Sequence, residues 1–124
     1  MWYSDDNGKT WSDRITIAAD PGYKLCEVSI LECENDTLVA FLRENSRKGY
    51  DILKVISYDN GETWTEDYML NDKLDLFCDM GYPCTIELED GGLMTVYYQK
   101  WPGEWWTSVL YTKWRLGDNT NEAK

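Results

Sequence analysis

The sequence predicts an all-β protein assembled from repeated units of four antiparallel strands, and three observations carry that expectation. An eight-residue turn motif occurs twice, as Ser4–Trp11 (SDDNGKTW) and Ser57–Trp64 (SYDNGETW), 53 residues apart and identical at six of eight positions. Apolar runs of strand length flank the motifs, plainest in Ile52-Leu53-Lys54-Val55-Ile56. Seven Trp and nine Tyr stand against two Phe, a balance suited to half-buried β surfaces and to surfaces on which sugars stack.

The motif has a physical reading. An Asp side chain in a turn accepts hydrogen bonds from backbone N–H groups further along, and Asn-Gly supplies the positive φ that tight turns require. Each copy is therefore a hairpin tip whose Trp is expected to fold back onto a sheet. Short strands repeating every 40–55 residues or so are the signature of β-propeller blades.

The remaining elements follow from alternation and turn residues. Met1 to Ser4 reads as the end of a third strand, with a fourth after the first motif. Val28 to Glu32 and Thr37 to Leu42 are strands one and two of the next blade. Ile52 to Ser57 and the segment after Trp64 are its strands three and four. Thr85 to Leu88 and Leu93 to Tyr98 open a further blade, with Ser108 to Trp114 as its third strand. Glu34-Asn35-Asp36 and Glu89-Asp90-Gly91-Gly92 are hairpin turns, and the polar tail Gly117 to Lys124 frays. The expected architecture is thus one complete blade plus two partial blades over residues 1–116, then a tail over 117–124.

The pattern S-x-D-x-G-x-T-W resembles the Asp box of sialidases and related propellers. Its residues here are Ser4, Asp6, Gly8, Thr10 and Trp11, and Ser57, Asp59, Gly61, Thr63 and Trp64. In that family the boxes are structural and face away from the active site. Tyr111 to Leu116 resembles the end of the family's last blade, which implies the C-terminal portion of a longer propeller. Propellers close with four to eight blades. The chain is therefore expected either to pair with upstream blades or to join identical chains head to tail in a ring.

Composition excludes several function classes. A net charge of −11 argues against nucleic acid and anionic membrane surfaces, which require a basic footprint. No apolar run is long enough to span a membrane, and no signal peptide is visible at the start. The absence of histidine removes Ser-His-Asp and Cys-His schemes and most zinc sites. Cys26, Cys33, Cys78 and Cys84 form no CxxC pair and read as buried free thiols, with disulfides left open.

Loops before strand one and after strand two share the face opposite the boxes. Glu27, Arg43 and Tyr82 fall there, as do Trp101, Trp105 and Trp106. Cys26 to Glu32 followed by Thr37 to Arg43 resembles the sialidase segment holding an active-site Glu and a carboxylate-binding Arg. Gly81 to Leu88 resembles the segment holding the nucleophilic Tyr. The resemblance implies that a neutral Tyr82 attacks where an anionic nucleophile would be repelled by an acidic substrate. Glu27 would take its proton, and Arg43 would fork onto the substrate carboxylate, with no metal or cofactor. A further Arg is expected between Arg43 and Tyr82, where Arg47 is the candidate. The family's acid Asp and first Arg come from blades outside this sequence, so the chain alone is expected to be inactive. Where the family often has Tyr-Glu, this chain has Tyr98-Gln99.

Two readings result. The first is part of a sialidase-like glycoside hydrolase acting on terminal acidic sugars of glycans. The second is a non-catalytic carbohydrate-binding or interaction propeller using Trp101, Trp105 and Trp106. Under the first, the Glu27 carboxylate and the Tyr82 hydroxyl are expected to meet near the propeller axis, with Arg43 further out.

Overall fold

The computed structural model describes residues 1–46, 52–65, 68–69 and 79–117. Among them are seven strands and no helix: β1 (Leu25–Glu32), β2 (Leu38–Glu44), β3 (Leu53–Ser57), β4 (Tyr68–Met69), β5 (Asp79–Glu87), β6 (Leu93–Lys100) and β7 (Ser108–Trp114). They form two antiparallel meanders, a four-stranded sheet β1-β2-β3-β4 and a three-stranded sheet β5-β6-β7. These are the complete blade and one of the partial blades that the sequence predicts. Arg47, Cys78 and the tail 118–124 lie outside the described residues.

The sheets pack face to face through the alternation of β side chains. Val39 and Phe41 of β2, with Ile52 and Ile56, meet Met80, Leu93, Tyr97 and Trp114 in one buried cluster. Phe41 stands edge-on to Trp114, with centroids 5.8 Å apart. Lys54, opposite Phe41 in the β2–β3 register, lays its Nζ 4.2 Å from the centre of the same Trp114 ring. The Trp114 Nε1–H donates to Thr95 Oγ1 at 3.0 Å, and Thr95 in turn bonds Thr85. On the far face of the first sheet, Ala40, Leu42 and Val55 are covered by Ile17, Ala18, Leu25 and Trp64.

The two box turns are built alike. Ser4 Oγ donates to Asp6 Oδ1 at 2.8 Å and accepts the Gly8 N–H at 2.8 Å; Ser57 repeats both bonds with Asp59 and Gly61, at 2.7 and 2.8 Å. Each Asp carboxylate accepts the backbone N–H and the hydroxyl of the Thr four residues on, Thr10 or Thr63. Asn7-Gly8 and Asn60-Gly61 hold positive φ. Each turn closes a hairpin, through Ser12 N–H to the Tyr3 carbonyl and Thr65 N–H to the Ile56 carbonyl.

These bonds hold both carboxyls at a pKa of about 2, against a usual 3.8. The Thr10 backbone N–H is the leading cause at Asp6, and the Thr63 hydroxyl at Asp59. A depressed folded pKa gives stability that is present above the unfolded value and lost as pH falls through the folded one. Acid unfolding is therefore expected to steepen between pH 3.8 and about 2. The double variant D6N/D59N should flatten that limb in denaturation series run at successive pH values. An unchanged slope would show that the boxes do not carry it.

Several boundaries differ from expectation. Met1 to Ser4 and the segment after Trp11 are hydrogen-bonded to each other but form no strand, because the described residues place no sheet beside them. Trp64 packs against the first sheet and donates to the Gly61 carbonyl at 3.1 Å, whereas Trp11 is 64% exposed for the same reason. Cys84 is exposed rather than buried, while Cys26 and Cys33 are half-buried free thiols. β1 and β5 begin several residues earlier than Val28 and Thr85, because each runs through a bulge instead of starting after it.

Candidate functional site

Those two bulges build the site. A bulge lets two residues of one strand oppose one of its partner and re-aims a side chain. The β1 bulge lies between Cys26 and Ser29, and the β5 bulge between Gly81 and Cys84. Glu27 and Tyr82 occupy them with φ of 49° and 51°. Left-handed backbone of this kind favours glycine and costs a larger residue about 1–2 kcal/mol. Neither residue is there for the turn's sake.

β1 and β2 lie against β5, so the start of β1, the end of β2 and the start of β5 share one rim. Arg43, opposite Cys26 in the register, reaches across the junction of the two sheets. Its Nη1 donates to both Glu27 oxygens at 2.9 and 3.0 Å, and its Nη2 to Asp79 Oδ1 at 2.7 Å. Asp79 Oδ1 also accepts the Tyr98 hydroxyl at 3.0 Å. The Tyr82 ring lies 5.7 Å from that of Tyr98, with 69% of Tyr82 exposed. Burial pulls the Arg43 pKa down, but Tyr98, Glu27 and Asp79 outweigh it, and the guanidinium stays charged. Burial, then the bond to Asp79, raises the Tyr98 phenol above its usual range, so at neutral pH it is a hydrogen-bond donor.

The structure brings Glu27, Arg43 and Tyr82 to one rim, as the sequence predicts, but it distributes their contacts differently. The Glu27 carboxylate is bound by Arg43 and not by the Tyr82 hydroxyl, and Tyr82 rests on Tyr98 instead. Arg43 bridges the blades between Glu27 and Asp79. The reason is reach: a long guanidinium fork spans a gap that two bulge residues leave open. Trp101, Trp105 and Trp106 follow β6 at the same end, where Lys100 pairs in register with Asp79. Trp105 is 87% exposed and stands edge-on to Trp106 at 6.3 Å. A groove of about 440 Å³ between the N-terminal segment and β1 is lined by Arg14, Cys26, Glu27 and Leu42, among others.

Asp79 and Tyr98 were missed by sequence reasoning, although a signal for Tyr98 existed. Tyr82 and Tyr98 stand 55 residues beyond Glu27 and Arg43, at the same bulge and cross-strand positions of the next sheet. Where one blade presents a carboxylate and a guanidinium, its neighbour presents two phenols.

Gly81 is what lets the blades meet. A Cβ there would fall 2.9 Å from Arg43 Cδ and 3.0 Å from Glu27 Oε2. G81A is therefore expected to displace the ion pair while leaving the sheets assembled, since only flexible side-chain ends must yield. If the rim is a binding site, ligand affinity should drop far more than the unfolding midpoint. A G81A protein with unchanged binding would show that the Glu27–Arg43 geometry is not used.

No family model matches the chain. It is 38% identical over 80 residues to a sialidase of Clostridium perfringens, an alignment covering 52% of this chain and 21% of that protein. It is 35% identical over 80 residues to a sialidase of Paraclostridium sordellii, covering 52% and 20%. The matched region thus spans about a fifth of these relatives' length. Among solved structures, a Dyadobacter fermentans protein of unknown function superposes with a TM-score of 0.75 at 22% identity, over 97% of this chain and 30% of that one. A Penicillium chrysogenum α-L-arabinanase complexed with arabinobiose superposes with a TM-score of 0.69 at 20% identity, over 90% and 34%. These likenesses show the fold.

Proposed function

We propose, for a chain that belongs to the sialidase-like β-propeller family, that the rim joining its two sheets is a carbohydrate site contributed to a glycosidase-like propeller. The observation that carries this reading is the placement of Glu27 and Tyr82 in left-handed bulges beside Arg43. Backbone strain at two such residues, at one rim, points to use of their side chains. Glu27 and Tyr82 are the reactive groups in this reading, with both Glu27 oxygens fixed in place by the Arg43 guanidinium. Trp101, Trp105 and Trp106 offer aromatic planes for sugar rings at the same end. The relatives are sialidases, and the arabinanase neighbour holds a disaccharide. Turnover of a terminal acidic sugar, the finer expectation, requires Arg43 to exchange a present partner for a substrate carboxylate. It also requires an acid from beyond these residues. A non-catalytic carbohydrate-binding propeller is the second reading, favoured by Glu27 bonding Arg43 rather than Tyr82.

The test is Y82G. Glycine relieves the left-handed strain, so stability should hold or rise by about 1 kcal/mol. Binding of oligosaccharides, followed by calorimetry, should be lost. Hydrolysis of fluorogenic glycosides by the protein carrying this chain, if present in the wild type, should vanish with it. Retained binding in Y82G would end the reading of Tyr82 as a site residue.

A further inference from the structure

We infer that this rim takes a neutral, polyhydroxylated sugar in preference to one bearing a carboxylate, because Glu27 and Asp79 already set two carboxylates against the Arg43 guanidinium. The inference rests on the carbohydrate reading above and specifies its ligand. A guanidinium recognises a carboxylate by offering two parallel N–H donors to two oxygens. In this structure Nη1 is bound to both oxygens of Glu27 and Nη2 to Asp79 Oδ1, while Nε is buried against Gly81 without a partner among the described residues, out of a ligand's reach. The Arg43 side chain is only 15% exposed. One cation thus faces two carboxylates, and a third would meet like charge at close range. Lys100, across the strand pair from Asp79, makes no ion pair with it. Arg14 lines the groove behind Glu27, which neither Tyr82 nor Tyr98 lines.

The second observation is the neighbouring blade. At the position equivalent to Arg43 it carries Tyr98, and at that of Glu27 it carries Tyr82. The two rings lie 5.7 Å apart and tilted by 40°. Phenols stack on the apolar faces of sugar rings and bond hydroxyls, and they supply no positive charge. The exposed oxygen lone pairs of Asp79 and Glu27 accept from sugar hydroxyls. Aromatic faces flanked by carboxylate acceptors suit a neutral glycan.

The experiment is calorimetric titration of the purified protein with lactose, arabinobiose and 3′-sialyllactose, of which only the last bears a carboxylate. The wild type is expected to bind a neutral probe at least about tenfold more tightly than 3′-sialyllactose, a difference of about 1.4 kcal/mol. D79N, which keeps the shape and removes the competing charge, should strengthen 3′-sialyllactose by about tenfold relative to lactose. If the wild type prefers 3′-sialyllactose, the inference falls and the carbohydrate site stands. If D79N folds with an unchanged preference, Asp79 does not set the ligand class and the inference falls. If none of the three probes binds, the carbohydrate reading falls and takes the inference with it. The wild-type ranking needs no variant and decides the matter even if D79N fails to fold.

Discussion

Phe41→Ala is expected to remove about 4 kcal/mol of stability from this blade junction. Phe41 has no exposed surface and lies in the cluster shared by both sheets. Its ring meets the edge of Trp114 at 5.8 Å, and Lys54 lies over the same indole at 4.2 Å. Truncation leaves a cavity that neither sheet can close, because Val39 and Ile56 are held in register by β-ladder bonds on both sides. Since domains are stable by about 5–15 kcal/mol, such a loss brings the protein close to unfolding. Urea denaturation followed by Trp fluorescence measures it. Val28→Ala supplies the contrast: Val28 is 51% exposed, and its truncation should stay within about 0.5 kcal/mol. Equal losses at the two positions would show that the sheets do not share a core through Phe41.

The same residues show how far the sequence could be read. The box turns were legible because their chemistry is local: Ser, Asp, Gly and Thr within seven positions make all their own bonds. The strands were legible from alternation, and Ser108 to Trp114 coincides with β7. The bulges were not, because neither left-handed position carries a glycine or an asparagine. Glu27 and Tyr82 adopt positive φ for reasons outside their own segments. Asp79 was invisible because its role exists only once Arg43 crosses to it from the other sheet. Lys54 interrupts an apolar run in the sequence, yet it is 2% exposed and lies over an indole from the next blade. What failed in each case was the relation between blades, to which a single strand's pattern is blind. Comparing the blades at their own offset of 55 residues, rather than the boxes at 53, would have placed Tyr98 beside Arg43 in advance.

The 14.5 kDa chain is expected not to persist as a monomer at micromolar concentration, and the repeat says which face drives association. Val39 and Phe41 point from the first sheet into the second. Their counterparts 55 residues on, Met94 and Val96, point out of the second sheet on the side away from the first. Around them lie Ile86, 49% exposed, Val109, 75% exposed, and Tyr111, 65% exposed. Among the described residues nothing covers this face, and β7 is the sheet's open edge. An apolar face beside an unpaired strand is an association hazard, and burying a side chain such as Val109 contributes about 2 kcal/mol. Light scattering should therefore report a ring of several chains or a polydisperse aggregate. The double variant V109K/Y111K places two charges on the face without touching the shared core. It should shift the protein towards monomer while leaving the Trp fluorescence of the folded state in place. If the wild type scatters as a monomer, the face is satisfied within one chain, and the blade-on-blade reading of Met94 and Val96 is wrong.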